Sequence, residues 1–235
     1  MNQIRTSPSL TQQVYDAIAN EIFDGALPAG AHLVQEQLAE RFGVSRQPIQ
    51  QAMALLKADG MVAEIGRRGL QVTPLDLDLM RHHYDIRAVL DGLAARNAAL
   101  RCRDDAAAAD ALAERGGKIL KLGETAVRNG AVGDQVRHDA EFHGLIYEGS
   151  GNPLLDRAAE PHWRFLRRAM GDVLRHAQLP DEIWRQHAEI LQAVTAGRPE
   201  QAEELMMRHD LDAAEALETA LRKGPDGARQ GTKTP

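Results

Sequence analysis

The sequence is short of several things, and each shortage removes a class of protein. It holds one cysteine, Cys102, in 235 residues. A lone thiol forms no internal disulfide and builds no cysteine-rich zinc site, so Cys102 reads as a small buried hydrophobe. Aromatics make up 4% of the chain while alanine and leucine abound, a balance that favours packed helices over a β-sandwich. No apolar run approaches the roughly 20 residues of a membrane helix. Met1 to Pro8 is polar, with Ile4 its only large aliphatic residue. No secretory leader is therefore expected, and the expected location is the cytoplasm, with no membrane partner. The motifs HExxH, GxSxG and GxxxxGK[ST] are all missing, which removes common zinc-protease, serine-hydrolase and phosphate-loop readings.

Net charge is −6, which by itself speaks weakly against nucleic acid. The charge is uneven, however. Between Arg41 and Pro74, five basic residues (Arg41, Arg46, Lys57, Arg67, Arg68) meet only Asp59 and Glu64, a local charge of +3. A basic patch on an acidic chain is the footprint that matters for DNA.

The same segment has a readable order. Leu10 to Phe23 carries an apolar stripe near the 3.6-residue period, and GALPAG from Gly25 breaks it. A short helix is expected over Gln35–Phe42, then a turn at Gly43-Val44. Ser45 is placed to cap a helix running to about Asp59, with Ile49, Ala52, Met53 and Leu56 inward. Pro48 falls in the first turn, where a missing N–H costs nothing, and Gly60 suits the left-handed end. MVAEI and LQVT then alternate as two short strands around GRRG. Helix, helix-turn-helix and hairpin make a winged helix-turn-helix in about 65 residues. Its recognition helix would present Ser45, Arg46 and Gln47 to a duplex, with Arg67 and Arg68 at the wing tip.

After Pro74 only helices are expected, over residues 76–102, 104–128, 133–149, 153–177, 180–196 and 199–222, with Gly116-Gly117 a point where the second could kink or divide. The domains are therefore taken as 1–75 and 76–222. A polar, Gly/Pro-rich tail follows over 223–235 and is expected to be disordered.

The stretch HDAEFHGLIYE, His138 to Glu148, sets Asp139 and His143 four residues apart on an apolar stripe. His187 and His209 lie on apolar stripes of later helices. Metal site, catalytic pair and hydrogen-bonded polar core all fit this pattern, because spacing does not show that three helices meet. Helix bundles do build metal sites from side chains on facing helices. Neutral imidazoles with one carboxylate suit zinc, nickel, iron or manganese. His82, His83, His138, His162 and His176 read as surface or rim residues.

Together these motifs resemble a known pairing. LVQEQLAERFGVSRQPIQQAMALLKADGMV, Leu33 to Val62, resembles the winged helix of GntR-family transcriptional regulators. YDIRAVLDGLAAR (Tyr84 to Arg96) and DAEFHGLIYEGSGNPLL (Asp139 to Leu155), with His187 and His209, resemble the FadR-type C-terminal (FCD) domain in its shorter, six-helix VanR-like form. The resemblance implies a bacterial regulator that dimerises on a pseudo-palindromic operator and answers to a small carboxylate metabolite. It implies a metal, zinc foremost, on Asp139, His143, His187 and His209, with the effector's carboxylate completing the coordination. It also implies that Arg87 pairs with that carboxylate. The alternative for Arg87 is a salt bridge to Asp85 or Asp91. Effector binding would act through the linker near Pro74. One departure stands out: Gln50-Gln51 occupies the place of a common Arg-Glu. Glutamine pairs best with adenine and arginine with guanine, so an altered operator is expected. The alternative function is a metalloenzyme acting on a small organic acid. Its weakness is the lack of a base beside the four residues, since Glu141 falls on another face of its helix.

Overall fold

The computed structural model describes residues 8–23, 25–66, 69–174 and 182–223. The chain divides into two compact units, Met1–Leu75 and Asp76–Pro235.

In the first unit, α1 (Leu10–Phe23), α2 (Gln35–Phe42) and α3 (Arg46–Ala58) pack with a small sheet. The core holds Ile18 from α1, Leu38 from α2, and Ile49, Ala52 and Leu56 from α3. The turn between α2 and α3 works because Gly43 takes φ 62°, so Gly43 N–H and Val44 N–H reach back to the carbonyls of Glu40 and Ala39. Ser45 precedes α3 in an extended conformation, but its side chain makes no capping bond. It starts the helix by position and not by the expected hydrogen bond. Beyond α3, Gly60 at φ 69° lets Met61 N–H bond Leu56 carbonyl.

The wing has three strands where two were expected. β2 (Val62–Ile65) and β3 (Gly69–Val72) form the hairpin, and β1 (His32–Leu33) joins the other edge of β3, all antiparallel in the order β1-β3-β2. His32 pairs with Gln71 and Leu33 with Leu70. A two-residue strand is too short to show alternation, so sequence pattern does not reveal it.

The second unit is helical: α4 (Leu77–Asp104), α5 (Ala106–Arg128), α6 (Val132–Ser150), α7 (Pro153–Leu174), α8 (Glu182–Thr195) and α9 (Pro199–Lys223). Asp76 caps α4 through Leu79 N–H, and Asp105 caps α5 through Ala107 and Ala108 N–H. α5 is continuous through Gly116-Gly117. The glycine there serves close packing, not a kink: a Cβ on Gly116 would lie 2.6 Å from Leu191 of α8. Gly123, two turns on, receives the indole of Trp184 in the same way. The first and last helices of the unit, α4 and α9, lie along one another; Gly92 of α4 meets Met207 of α9. No described helix is long and apolar enough to cross a membrane. The tail after Lys223 lies outside the described residues.

Candidate functional site

α6 turns Asp139 and His143 inward beside Phe142 and Ile146, all buried. α8 contributes His187, flanked by Trp184 and Ile190, and α9 contributes His209. The three helices meet there. One ligand-type atom from each of Asp139, His143, His187 and His209 lies within 4.8 Å of the others. His187 Nε2 stands 3.0 Å from His209 Nε2 and 3.5 Å from Asp139 Oδ1.

Partners outside this group fix which nitrogen faces it. Asp91 of α4 lies 2.8 Å from His143 Nδ1 and accepts that N–H, while Arg87 Nη2 stands 3.2 Å from both ring nitrogens. Gln186 Oε1 lies 2.9 Å from His209 Nδ1. Gln186 Nε2 donates to Asp212 at 3.1 Å, which fixes the amide with its oxygen toward the imidazole. His209 therefore carries its proton on Nδ1 and turns a lone pair on Nε2 toward His187. Two Nε2 atoms at 3.0 Å can share one proton or converge on one cation.

Charge sharpens the choice. Asp91, Asp139 and Asp210 are buried in one region, and Arg87 pairs with the first and last of them. Low-dielectric surroundings resist so many carboxylate charges close together. Burial accordingly holds the Asp139 carboxyl above its ordinary range, against the opposing pull of His143 and Arg87. Burial raises Asp210 further. Asp91 goes the other way: burial is outweighed by Arg87 and His143, and it stays ionised. His187 and His209 are held well below the ordinary imidazole value, by burial first and then by neighbouring rings and Arg87. They are thus neutral, as ligands must be. Asp139 Oδ2 is buried without a hydrogen-bond partner. Neutral imidazoles and an orphaned carboxylate oxygen fit one divalent cation.

Arg87 is buried in α4 with Trp163 beneath it, 3.8 Å from the guanidinium carbon to the ring centroid. Nε donates to Asp91 at 3.0 Å and Nη2 meets Asp210 at 2.7 Å. Of the two salt bridges weighed from sequence, the one to Asp91 forms, and Asp85 is exposed. Asp210 was not foreseen. It is adjacent to His209, and neighbouring residues on a helix do not share a face, so the stripe that picked out His209 passed over it. Tyr147 donates to Asp91 and itself accepts from Trp163 Nε1 at 3.1 Å. This aromatic support also escaped the sequence reading.

The remaining histidines divide. His82 is exposed, but His138 is buried against Glu141 at 2.8 Å, so its placement at the rim is corrected. His83 and His162 are half-buried and meet through Nδ1 at 2.9 Å, with His83 stacked on Phe165. His176 lies outside the described residues. Glu141 is exposed on the outer side of α6.

In the first unit, Ser45, Arg46, Gln47 and Gln50 are all exposed along the N-terminal half of α3. Arg46 pairs with Glu36, and both side chains are about two-thirds exposed. Such a pair is worth little and yields readily to a phosphate. Gln51 accepts a hydrogen bond from Thr11, while Gln50 remains outward. Arg67 and Arg68 lie outside the described residues.

Comparison with known proteins agrees with both units. The family described as bacterial regulatory proteins, gntR family, matches residues 10–72, and the FCD domain matches residues 82–213. The HTH-type transcriptional regulator YdhC of Bacillus subtilis is 28% identical over 223 residues, covering 91% of this chain and 93% of that protein. A probable D-xylose utilization operon transcriptional repressor of Paenarthrobacter nicotinovorans is 28% identical, covering 87% of each. Among solved structures, McbR/YncC of Escherichia coli superposes with a TM-score of 0.73 at 22% identity, over 91% of this chain and 99% of that one. A GntR regulator from Rhodococcus sp. RHA1 gives 0.74 at 21% identity, with the same coverage. These structural likenesses speak for the fold.

Proposed function

Because the chain belongs to the GntR family of transcriptional regulators, with an FCD domain as its second unit, we propose that its operator binding is governed by a small carboxylate held at a metal in that domain. Membership makes it a regulator and not an enzyme. The observation that carries the proposal is the buried convergence of Asp139, His143, His187 and His209 from three helices. These four would hold a divalent transition metal, zinc foremost, with nickel, iron or manganese as the other candidates. Such an ion would supply an open coordination position for an oxygen ligand. Arg87 supports the carboxylate assignment, since its Nη1 is buried and makes no hydrogen bond.

The DNA surface is the exposed edge of α3 with Ser45, Arg46, Gln47 and Gln50, together with Arg67 and Arg68 of the wing. Operators of two half-sites call for two copies of the chain. Ile86, Val89 and Leu93 are 47%, 61% and 40% exposed at helical spacing on α4, an apolar stripe that supports a homodimer formed through the second unit. Control requires that the effector bind the DNA-competent and incompetent arrangements unequally.

The test is elemental analysis of the purified chain beside His143→Ala and His187→Ala, with promoter binding measured on the same samples. Near-stoichiometric metal in the parent, lost in both variants, is the expected result. No metal in any sample, even after re-addition, would make the four residues a polar core.

A further inference from the structure

Arg87 has two carboxylate partners, and they are not held alike. Asp91 Oδ2 lies 3.0 Å from Arg87 Nε and 2.8 Å from His143 Nδ1, and Asp91 Oδ1 accepts from the Tyr147 hydroxyl. It is saturated. Asp210 is as deeply buried and meets Arg87 Nη2 at 2.7 Å, yet neither of its oxygens has an aligned hydrogen bond. A buried carboxyl with one ion pair and the Asp91 carboxylate pressed beside it is poorly compensated.

The guanidinium shows the complementary feature. Its Nη1 is buried without a partner. The ring of Tyr84 lies 5.5 Å from the guanidinium carbon, and the Tyr84 hydroxyl is likewise buried and makes no hydrogen bond. A carboxylate binds a guanidinium best across two adjacent nitrogens. On the Nη1–Nη2 edge one nitrogen is free and the other is shared between Asp210 and the His143 ring, 3.2 Å away, whereas Asp91 occupies Nε.

We propose that Asp210 is an internal stand-in for the effector's carboxylate: the effector takes the Nη1–Nη2 edge of Arg87, Asp210 releases Nη2, and Asp91 stays on Nε. This rests on the reading of the site as a metal-centred carboxylate pocket. Asp210 follows His209 on α9, so the exchange frees a side chain on the helix that also supplies a metal ligand. Ligand binding is thereby tied to the seat of α9 against α4. Tyr84 becomes a specificity residue, because its unpaired hydroxyl suits an effector with a second polar atom beyond the carboxylate.

The experiment uses the full chain loaded with Co²⁺, whose visible absorption bands report the coordination sphere, titrated with acetate. Asp210→Asn keeps the shape and removes the competitor. It should tighten acetate about tenfold or more, the scale of one charge-assisted hydrogen bond. In an Arg87→Gln background the same substitution should give no gain, because there is no guanidinium to vacate. Absence of any gain, or an equal gain in both backgrounds, overturns the exchange; the second result would mean simple removal of a charge. If Asp210→Asn does not fold, Asp210→Ala carries the same expectation. Absence of Co²⁺ bands in the parent protein would instead overturn the metal-centred reading, and the exchange with it.

Discussion

Gly117→Ala and Gly123→Ala add the same atom to the same helix and are expected to move stability in opposite directions. In a helix interior alanine is favoured over glycine by about 1 kcal/mol. At Gly117 a Cβ meets nothing within 4 Å, so most of that gain should appear. At Gly123 the Cβ would lie 2.0 Å from Trp184 Cη2 and 2.2 Å from Cζ2 and Cζ3. Carbon atoms rest about 3.5–4.0 Å apart, so the indole must retreat by about 1.5 Å or α5 and α8 must separate. Trp184 is buried, and its ring centroid lies 5.1 Å from that of His187, so there is little room to retreat. Overpacking costs about 1–3 kcal/mol, and a rigid indole belongs at the upper end. Net of the helix gain, Gly123→Ala should lose about 1–2 kcal/mol. Each kcal/mol moves the midpoint by about 2–4 °C in a chain of this size, so the two variants should melt about 4–10 °C apart. Circular dichroism melts and urea titrations run side by side would measure this. Gly123→Ala should also weaken metal retention, because Trp184 backs His187. If both variants shift the same way, the α5–α8 packing described above is wrong.

Three further expectations follow from single groups. Asp91→Ala removes the acceptor that orients His143 and should weaken metal binding about 10–100-fold, measured by chelator competition, without changing the ligand count. Burial, with His162 and His82, lowers the His83 pKa from 6.5 to about 4. The unfolded chain then takes up a proton below about pH 6.5 that the folded chain refuses down to about pH 4, so stability should fall across that window as pH drops. His83→Phe, which keeps the stack on Phe165, should flatten that part of a urea-midpoint profile, and an unchanged slope would refute the assignment. Arg46→Ala should weaken promoter binding at every sequence and reduce the salt slope by about one, read from binding isotherms at several salt concentrations.

Much of the fold could be read because it rests on local signals. Glycines at the left-handed turn after Phe42 and at the end of α3, and the breakers before Pro153 and Pro199, marked helix ends where the structure has them. The apolar stripes of α6, α8 and α9 picked out Asp139, His143, His187 and His209. Their convergence is a tertiary fact that stripes alone cannot supply. What escaped was non-local or off-stripe. β1 owes its two residues to β3, a partner far along the chain. Asp210 is hidden by its neighbour His209. His138 sits off the Asp139–His143 face yet is buried. Gly116 and Gly117 looked alike in sequence, but one admits Leu191 and the other faces open space.

The packing of α9 along α4 has a consequence for how the chain is made. α4 carries Arg87 and Asp91, while His209 and Asp210 come from α9, so the two halves of the polar centre are separated by nearly the whole second unit. During synthesis four helices, α5 to α8, follow α4 before α9 arrives to cover the remaining part of its buried face. Contacts of such long sequence separation form late and slowly. A chain cut short before α9 would keep the first unit whole and lack His209 and Asp210, half of the buried polar centre.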